Sequence, residues 1–213
     1  MPEARRSLDH VAGCLVCGAA GDALGAPVEF MSRAEIRRAF GPGGIAEYAP
    51  AYGRTGAVTD DTQMTLFTAE GLVLSRIRGT GEAGELPRFV YQAYLRWLAT
   101  QQAVDPDSLV NRYGTCAMVD GLLITQRALH ARRAPGRACL SSLLSGRMGT
   151  TDDPINDSKG CGGVMRIAPV GYFLPREAVF DAACDIAAIT HGHPTGYLDR
   201  KSTRLNSSHV SQS

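Results

Sequence analysis

Thr59-Asp60-Asp61-Thr62-Gln63-Met64 opens the segment whose reading decides the fold. Thr59 is a capping residue type, and Asp60 and Asp61 fall in a first turn, where acids complement the helix dipole. Met64, Phe67, Gly71 and Leu74 then recur on one helical stripe, so a helix is predicted from Thr59 through Ser75. Upstream, Leu8–Leu24 reads as a helix whose glycines and alanines would admit a close neighbour. Ser32-Arg33-Ala34-Glu35 is a capping box for a short helix ending at Phe40, and a Gly/Pro/Tyr loop follows to Val58. Downstream, a polar linker at 78–85 leads to Pro87 in the first turn of a helix that turns Phe89, Tyr94, Trp97 and Leu98 inward. Asp105-Pro106 starts another helix, and Cys116–His130 has amphipathic spacing. Ala138–Leu144 adds a turn or two, residues 145–163 form a long polar loop, Val164–Phe173 is short and apolar, and Arg176–Ile189 is a final helix. No segment alternates like a strand. The chain is expected to be nearly all α.

The 213 residues are 44% hydrophobic and 20% charged, enough apolar side chain for a real core, which excludes disorder. A formal charge of +1 gives no basic surplus for sequence-blind nucleic-acid binding. The Arg-Arg pairs at 5–6, 37–38 and 132–133 read as solvated. Val11–Val28 is apolar, but Asp22, Pro27 and four glycines argue against a membrane span, and no apolar region precedes the lipoprotein-like Val11–Cys14. The six scattered cysteines read as reduced, mostly buried thiols, and Cys14/Cys17 lack the partners of a zinc or redox site. A cytoplasmic protein is expected.

Four stretches carry chemistry. Asp60 and Asp61 between hydroxyls at a helix start offer hard oxygen donors suited to Mg²⁺, Mn²⁺ or Ca²⁺ rather than zinc, or else serve only the dipole. Gly21-Asp22-Ala23-Leu24-Gly25-Ala26-Pro27-Val28-Glu29-Phe30 delivers two acids near a helix C-terminus, an end that disfavours anions. There Asp22 is either a functional acid or a hydrogen-bonded core residue, and Glu29 a functional acid or a surface one. Lys159-Gly160-Cys161-Gly162-Gly163-Val164-Met165-Arg166 could expose backbone N–H groups to an anion, or be a plain turn. Thr190-His191-Gly192-His193-Pro194 places two histidines after a helix, where one could contact ligand or cap carbonyls.

Together, in this order, the four stretches resemble the ADP-ribosylglycohydrolase family, of the dinitrogenase reductase-activating type. The resemblance runs from about Leu8 to Leu198, the N-terminal two-thirds of a typical family domain. It implies an all-α orthogonal helical bundle with a cleft holding two Mg²⁺ or Mn²⁺ ions. It implies Thr59, Asp60 and Asp61 as metal ligands, with Asp61 also catalytic. Glu29 is implied as the carboxylate near the scissile ribose, and Gly160, Cys161, Gly162 and Gly163 as the ribose-diphosphate seat. His191 is implied as an ADP-ribose contact and Asp22 as support beside the metal shell. The implied reaction cleaves the glycosidic bond between ADP-ribose and a protein side chain or a related small conjugate. A catalytically silent relative with a structural or ADP-ribose-binding role and a metal-independent phosphate-binding module are the competing expectations.

Two departures shape the expectations for this chain. Residues 199–213 are polar, unpatterned and similar to the in-frame translation of a sequencing adapter, so they are expected to be non-native and the domain incomplete at its C-terminus. The family's second acidic metal motif does not follow Leu198. Two octahedral ions need about twelve ligand positions, so the chain is expected to bind metal weakly and to be inactive. Neither the acceptor linkage nor the oligomeric state is legible.

Overall fold

The computed structural model describes residues 7–101, 105–114 and 121–198. Among them the elements are α1 (Leu8–Gly25), α2 (Arg33–Phe40), β1 (Pro50–Ala51), β2 (Arg54–Thr55), α3 (Asp60–Arg78), α4 (Leu86–Thr100), α5 (Pro106–Tyr113), α6 (Arg137–Leu144), α7 (Val170–Phe173), α8 (Arg176–Ala188) and α9 (Pro194–Leu198). The fold is all-α apart from the antiparallel pair β1–β2, which pairs Pro50 with Thr55 and Ala51 with Arg54. This hairpin lies in what the sequence presents as plain loop. Its two central residues, Tyr52 and Gly53, have φ of 49° and 78°, the left-handed pair that a two-residue hairpin turn requires.

The caps read from the sequence form. Ser32 Oγ accepts from the Glu35 N–H while the Glu35 carboxylate accepts from the Ser32 N–H. Asp105 Oδ2 accepts from the Ser108 N–H. Helices α3 and α4 make the central pair, and their facing sides supply Met64, Phe67, Leu72, Leu86, Val90, Tyr94, Trp97 and Leu98 to one continuous core that α6 and α8 close. Gly71 sets how closely α3 and α4 approach: a Cβ there would stand 2.7 Å from the Val90 Cα.

Several expectations are corrected. The α1 glycines, expected to admit a close neighbour, meet none among the described residues, where a Cβ on Gly13, Gly18, Gly21 or Gly25 would find nothing within 4 Å. Three of them instead leave the wall of an open cleft bare. The amphipathic stretch Cys116–His130 lies outside the described residues as far as Asp120. Its remainder forms two short 3-10 turns at Leu123–Thr125 and Arg127–Leu129. Tertiary contacts override helical spacing there: Glu70 Oε1 accepts from the Leu123 N–H while its other oxygen pairs with the buried Arg96 guanidinium at 2.8 Å. Arg133 is buried rather than solvated, donating to the carbonyls of Val58 and Ala128. Among the described cysteines, Cys139 and Cys184 are buried while Cys17 and Cys161 are exposed, so the thiols are not mostly buried; Cys116 lies outside the described residues. The 199–213 segment lies outside them too. Among the described residues no helix is long and apolar enough to cross a membrane.

Glycine substitutions separate the two roles. Gly71→Ala is expected to cost about 1–3 kcal/mol by forcing α3 from α4. Gly13→Ala, in open space mid-helix, should stabilise by about 0.5–1 kcal/mol. Urea denaturation of the two variants checks both signs.

Candidate active site

The site begins where α1 meets the first turn of α3. Asp22, one turn before the end of α1, turns its carboxylate onto the open N-terminus of α3. Oδ2 accepts from the Thr59 N–H at 2.8 Å and the Thr62 N–H at 3.2 Å. The Thr59 hydroxyl donates to Oδ1 at 2.7 Å and the Thr62 hydroxyl to Oδ2 at 2.5 Å. An anion misplaced at its own helix C-terminus is thus stabilised by the N–H groups of another helix. Thr59 caps locally as well, its Oγ1 accepting from the Asp61 N–H.

With the first turn fixed, the two adjacent acids diverge. Asp60 turns inward and is 3% exposed. Its Oδ2 accepts from the Gly136 N–H at 3.0 Å, and its own N–H donates to the Arg133 carbonyl. Asp61 turns outward to a cleft of about 660 Å³ that it shares with Asp22, Glu29, Thr59, Thr62 and Cys161. The α1 wall of this cleft is the bare face carrying Gly18, Gly21 and Gly25.

The electrostatics follow from concentrating carboxylates here. Loss of water pushes the Asp60 carboxyl up to about 7, and the charges of Asp61 and Glu29 push the same way against the Gly136 hydrogen bond. Burial and then Asp22 raise Asp61. Burial, Asp61 and Asp22 raise Glu29. The Tyr52 hydroxyl at the hairpin tip is raised by burial and then by Glu29, Asp60 and Asp22, which places the tip beside this acidic corner. Among the described residues none of Glu29, Asp60 and Asp61 has a Lys, Arg or His within ion-pair distance.

The glycine stretch forms a single 3-10 turn, Cys161–Gly163. Cys161 faces the cleft, whereas Gly162 and Gly163 pack backward onto His191. A Cβ on Gly162 would lie 3.0–3.1 Å from the imidazole, a tight contact that the ring would have to relieve by shifting a few tenths of an ångström. His191 is 2% exposed and lies beneath the turn, its ring 3.5 Å from where a Gly160 Cβ would stand. The structure therefore gathers Glu29, Thr59, Asp61 and Cys161 on one cleft, sets Asp60 behind it, and keeps Gly162, Gly163 and His191 as a packed layer under the turn.

The ADP-ribosylglycohydrolase family model matches residues 1–199. The chain belongs to the ADP-ribosylglycohydrolase family. No solved structure matches it. The family consists of hydrolases that cleave a glycosidic bond in ADP-ribose conjugates, and the acidic corner is chemistry such a hydrolase can use: carboxylates next to an open cleft stabilise the oxocarbenium-like charge that builds as such a bond breaks.

Sequence reasoning missed three contributors to this candidate site. Gln63, fully buried, donates to the Ala131 carbonyl and accepts from Trp97 Nε1 and Gln101 Nε2. It thereby holds the 131–136 loop whose Arg133 carbonyl and Gly136 N–H grip Asp60. Only a polar residue interrupting a core stripe hinted at this. Tyr52 and Arg133 had no signal beyond residue type.

Asp60 gives a pH test. The native protein holds the Asp60 proton more tightly than the unfolded chain does, so ionisation weakens the fold. That penalty is absent below about 3.8 and complete above about 7. Asp60→Asn, which still accepts from Gly136, should exceed the parent in stability at pH 8 without divalent cations by on the order of a few kcal/mol. The gap should close toward pH 4. Denaturant midpoints across that range measure it.

Proposed function

We propose that the cleft between α1 and α3 hydrolyses the bond between ADP-ribose and a protein side chain, or a related small conjugate, with Mg²⁺ or Mn²⁺, in the manner of the dinitrogenase reductase-activating type. One observation carries the reading: Glu29, Asp60 and Asp61 crowd their negative charge at one corner of an open cleft with no ion-paired cation among the described residues. The donors of Thr59, Asp60 and Asp61 are hydroxyl and carboxylate oxygens, the hard set those ions prefer. Their chemistry suits the group: Thr59 and Asp61 line the cleft and would hold it there, and Asp60, set behind them, would have to turn to join them. When bound, the ion would orient the ribose hydroxyls and lower the pKa of a coordinated water.

The remaining roles belong to side chains. Asp61 and Glu29 face the cleft, where their carboxylates can stabilise positive charge at the anomeric carbon. Glu29, with its proton affinity raised, is suited to take a proton from the attacking water. The turn at Cys161–Gly163, with Gly160 before it, seats the ribose and diphosphate, and His191 supports that seat. The work is intracellular, in the cytoplasm.

Among the described residues no three His, Cys, Asp or Glu side chains come together to hold an ion. Its other positions fall to water, substrate hydroxyls or residues outside those described. For this chain alone the reading therefore gives weak metal binding and no turnover. The same observation favours the second reading, an ADP-ribose-binding relative without catalysis. Calorimetric titration with ADP-ribose in Mg²⁺ and then in EDTA tests the proposal. Binding should weaken at least tenfold on chelation and in Asp61→Ala. Binding indifferent to both would contradict it, and release of ADP-ribose from ADP-ribosylated protein by this chain would contradict the absence of turnover and the silent-binding reading alike.

A further inference from the structure

Arg166 follows the glycine turn by three residues, and its side chain runs into the core, fully buried. Burying a guanidinium costs several kcal/mol unless its charge and donors are met. Among the described residues no carboxylate pairs with it. It stacks on the Tyr94 ring, 4.3 Å from the centroid. Nη1 reaches only sulfur, at 3.4 Å to Cys139 and 3.5 Å to Met64, and Nε has no acceptor. The one strong contact is Nη2 donating to Thr190 Oγ1 at 2.8 Å.

That contact has a consequence one residue further on. Thr190 Oγ1 lies 2.9 Å from His191 Nδ1. With a lone pair taken by Arg166, the buried hydroxyl must place its own proton on an acceptor. The imidazole nitrogen is a better acceptor than the neighbouring Cys139 sulfur. An Nδ1 that accepts leaves the ring proton on Nε2. Nε2 faces the glycine turn, 3.1 Å and 3.5 Å from where Cβ atoms of Gly162 and Gly160 would stand.

We infer that Arg166 is a positioning residue that acts through Thr190 to hold His191 as the Nε2–H tautomer, its donor turned toward the Cys161–Gly163 turn. His191 then works as a neutral hydrogen-bond donor beneath the diphosphate seat and not as a proton-accepting base. The identity of the ligand above it rests on the proposed function; the relay itself does not. Burial and then the Arg166 charge lower the His191 pKa to about 4, in keeping with a ring that stays neutral. Among the described residues the titratable Cys139 thiol of α6 stands near the ring, and so do Ser158, Ala187 of α8 and Gly196 of α9, which do not titrate.

The test is ¹⁵N-histidine NMR on the whole chain, reading the His191 ring directly. The parent should show one Nε2–H tautomer and no titration between pH 5.5 and pH 8, given the value of about 4. Thr190→Val, which keeps the shape and removes the hydroxyl, should lose the single tautomer. Arg166→Met should move the titration midpoint upward while leaving it below the ordinary value of about 6.5, because burial remains. If Arg166→Met does not fold, Thr190→Val decides alone. An Nδ1–H tautomer in the parent, or an unchanged tautomer in Thr190→Val, would overturn the inference. Added ADP-ribose gives a separate arm: if the NMR results hold and the nucleotide perturbs nothing, the relay stands and the proposed ligand is wrong.

Discussion

Four hydrogen bonds to one carboxylate organise the cleft. Asp22 takes the N–H groups and the hydroxyls of both Thr59 and Thr62, and so ties the end of α1 to the start of α3. Hydrogen bonds to an ionised group are about twice as strong as neutral ones, and these also settle electrostatics at two helix ends at once. Without them α1, which buries only Ala23 along its length, would have little reason to lie where it does. The cleft takes its shape from a largely half-buried or exposed helix pinned at one end.

That pin determines how the adjacent acids point. Side chains one residue apart on a helix diverge by about 100°, so fixing the first turn sends Asp60 inward and Asp61 outward. The inward carboxylate accepts from the Gly136 N–H, which does not offset its loss of water. It is therefore desolvated faster than it is compensated, and with Glu29 and Asp61 close by, its proton affinity rises to about 7. A corner built this way stores unfavourable charge until a cation or a proton relieves it. A substrate whose bond cleavage develops positive charge meets the same field.

The local grammar of the helices was legible: the Ser32 capping box, the Thr59 and Asp105 caps and the Pro87 start all sit where the sequence puts them. Asp22 was legible as one of two readings, a hydrogen-bonded residue, but its partners Thr59 and Thr62 were not. What escaped reading depends on partners distant in sequence. Glu70 and Arg96 replace the expected helix around residue 123 with 3-10 turns because a buried ion pair claims the Leu123 N–H. Gln63 reaches Ala131, and Arg133 turns inward to carbonyls; neither residue carries a local pattern announcing it. The glycines of α1 were misread for the opposite reason. Small residues permit close packing but do not require it, and here they leave space.

The most direct measurement is the denaturant midpoint of the chain at pH 8 as Mg²⁺ is raised, with ionic strength held constant by Na⁺. If the acidic corner is a cation site, the midpoint rises and saturates in the parent and stays flat in Asp61→Asn. A flat response in the parent, or an equal rise in the variant, would contradict the account.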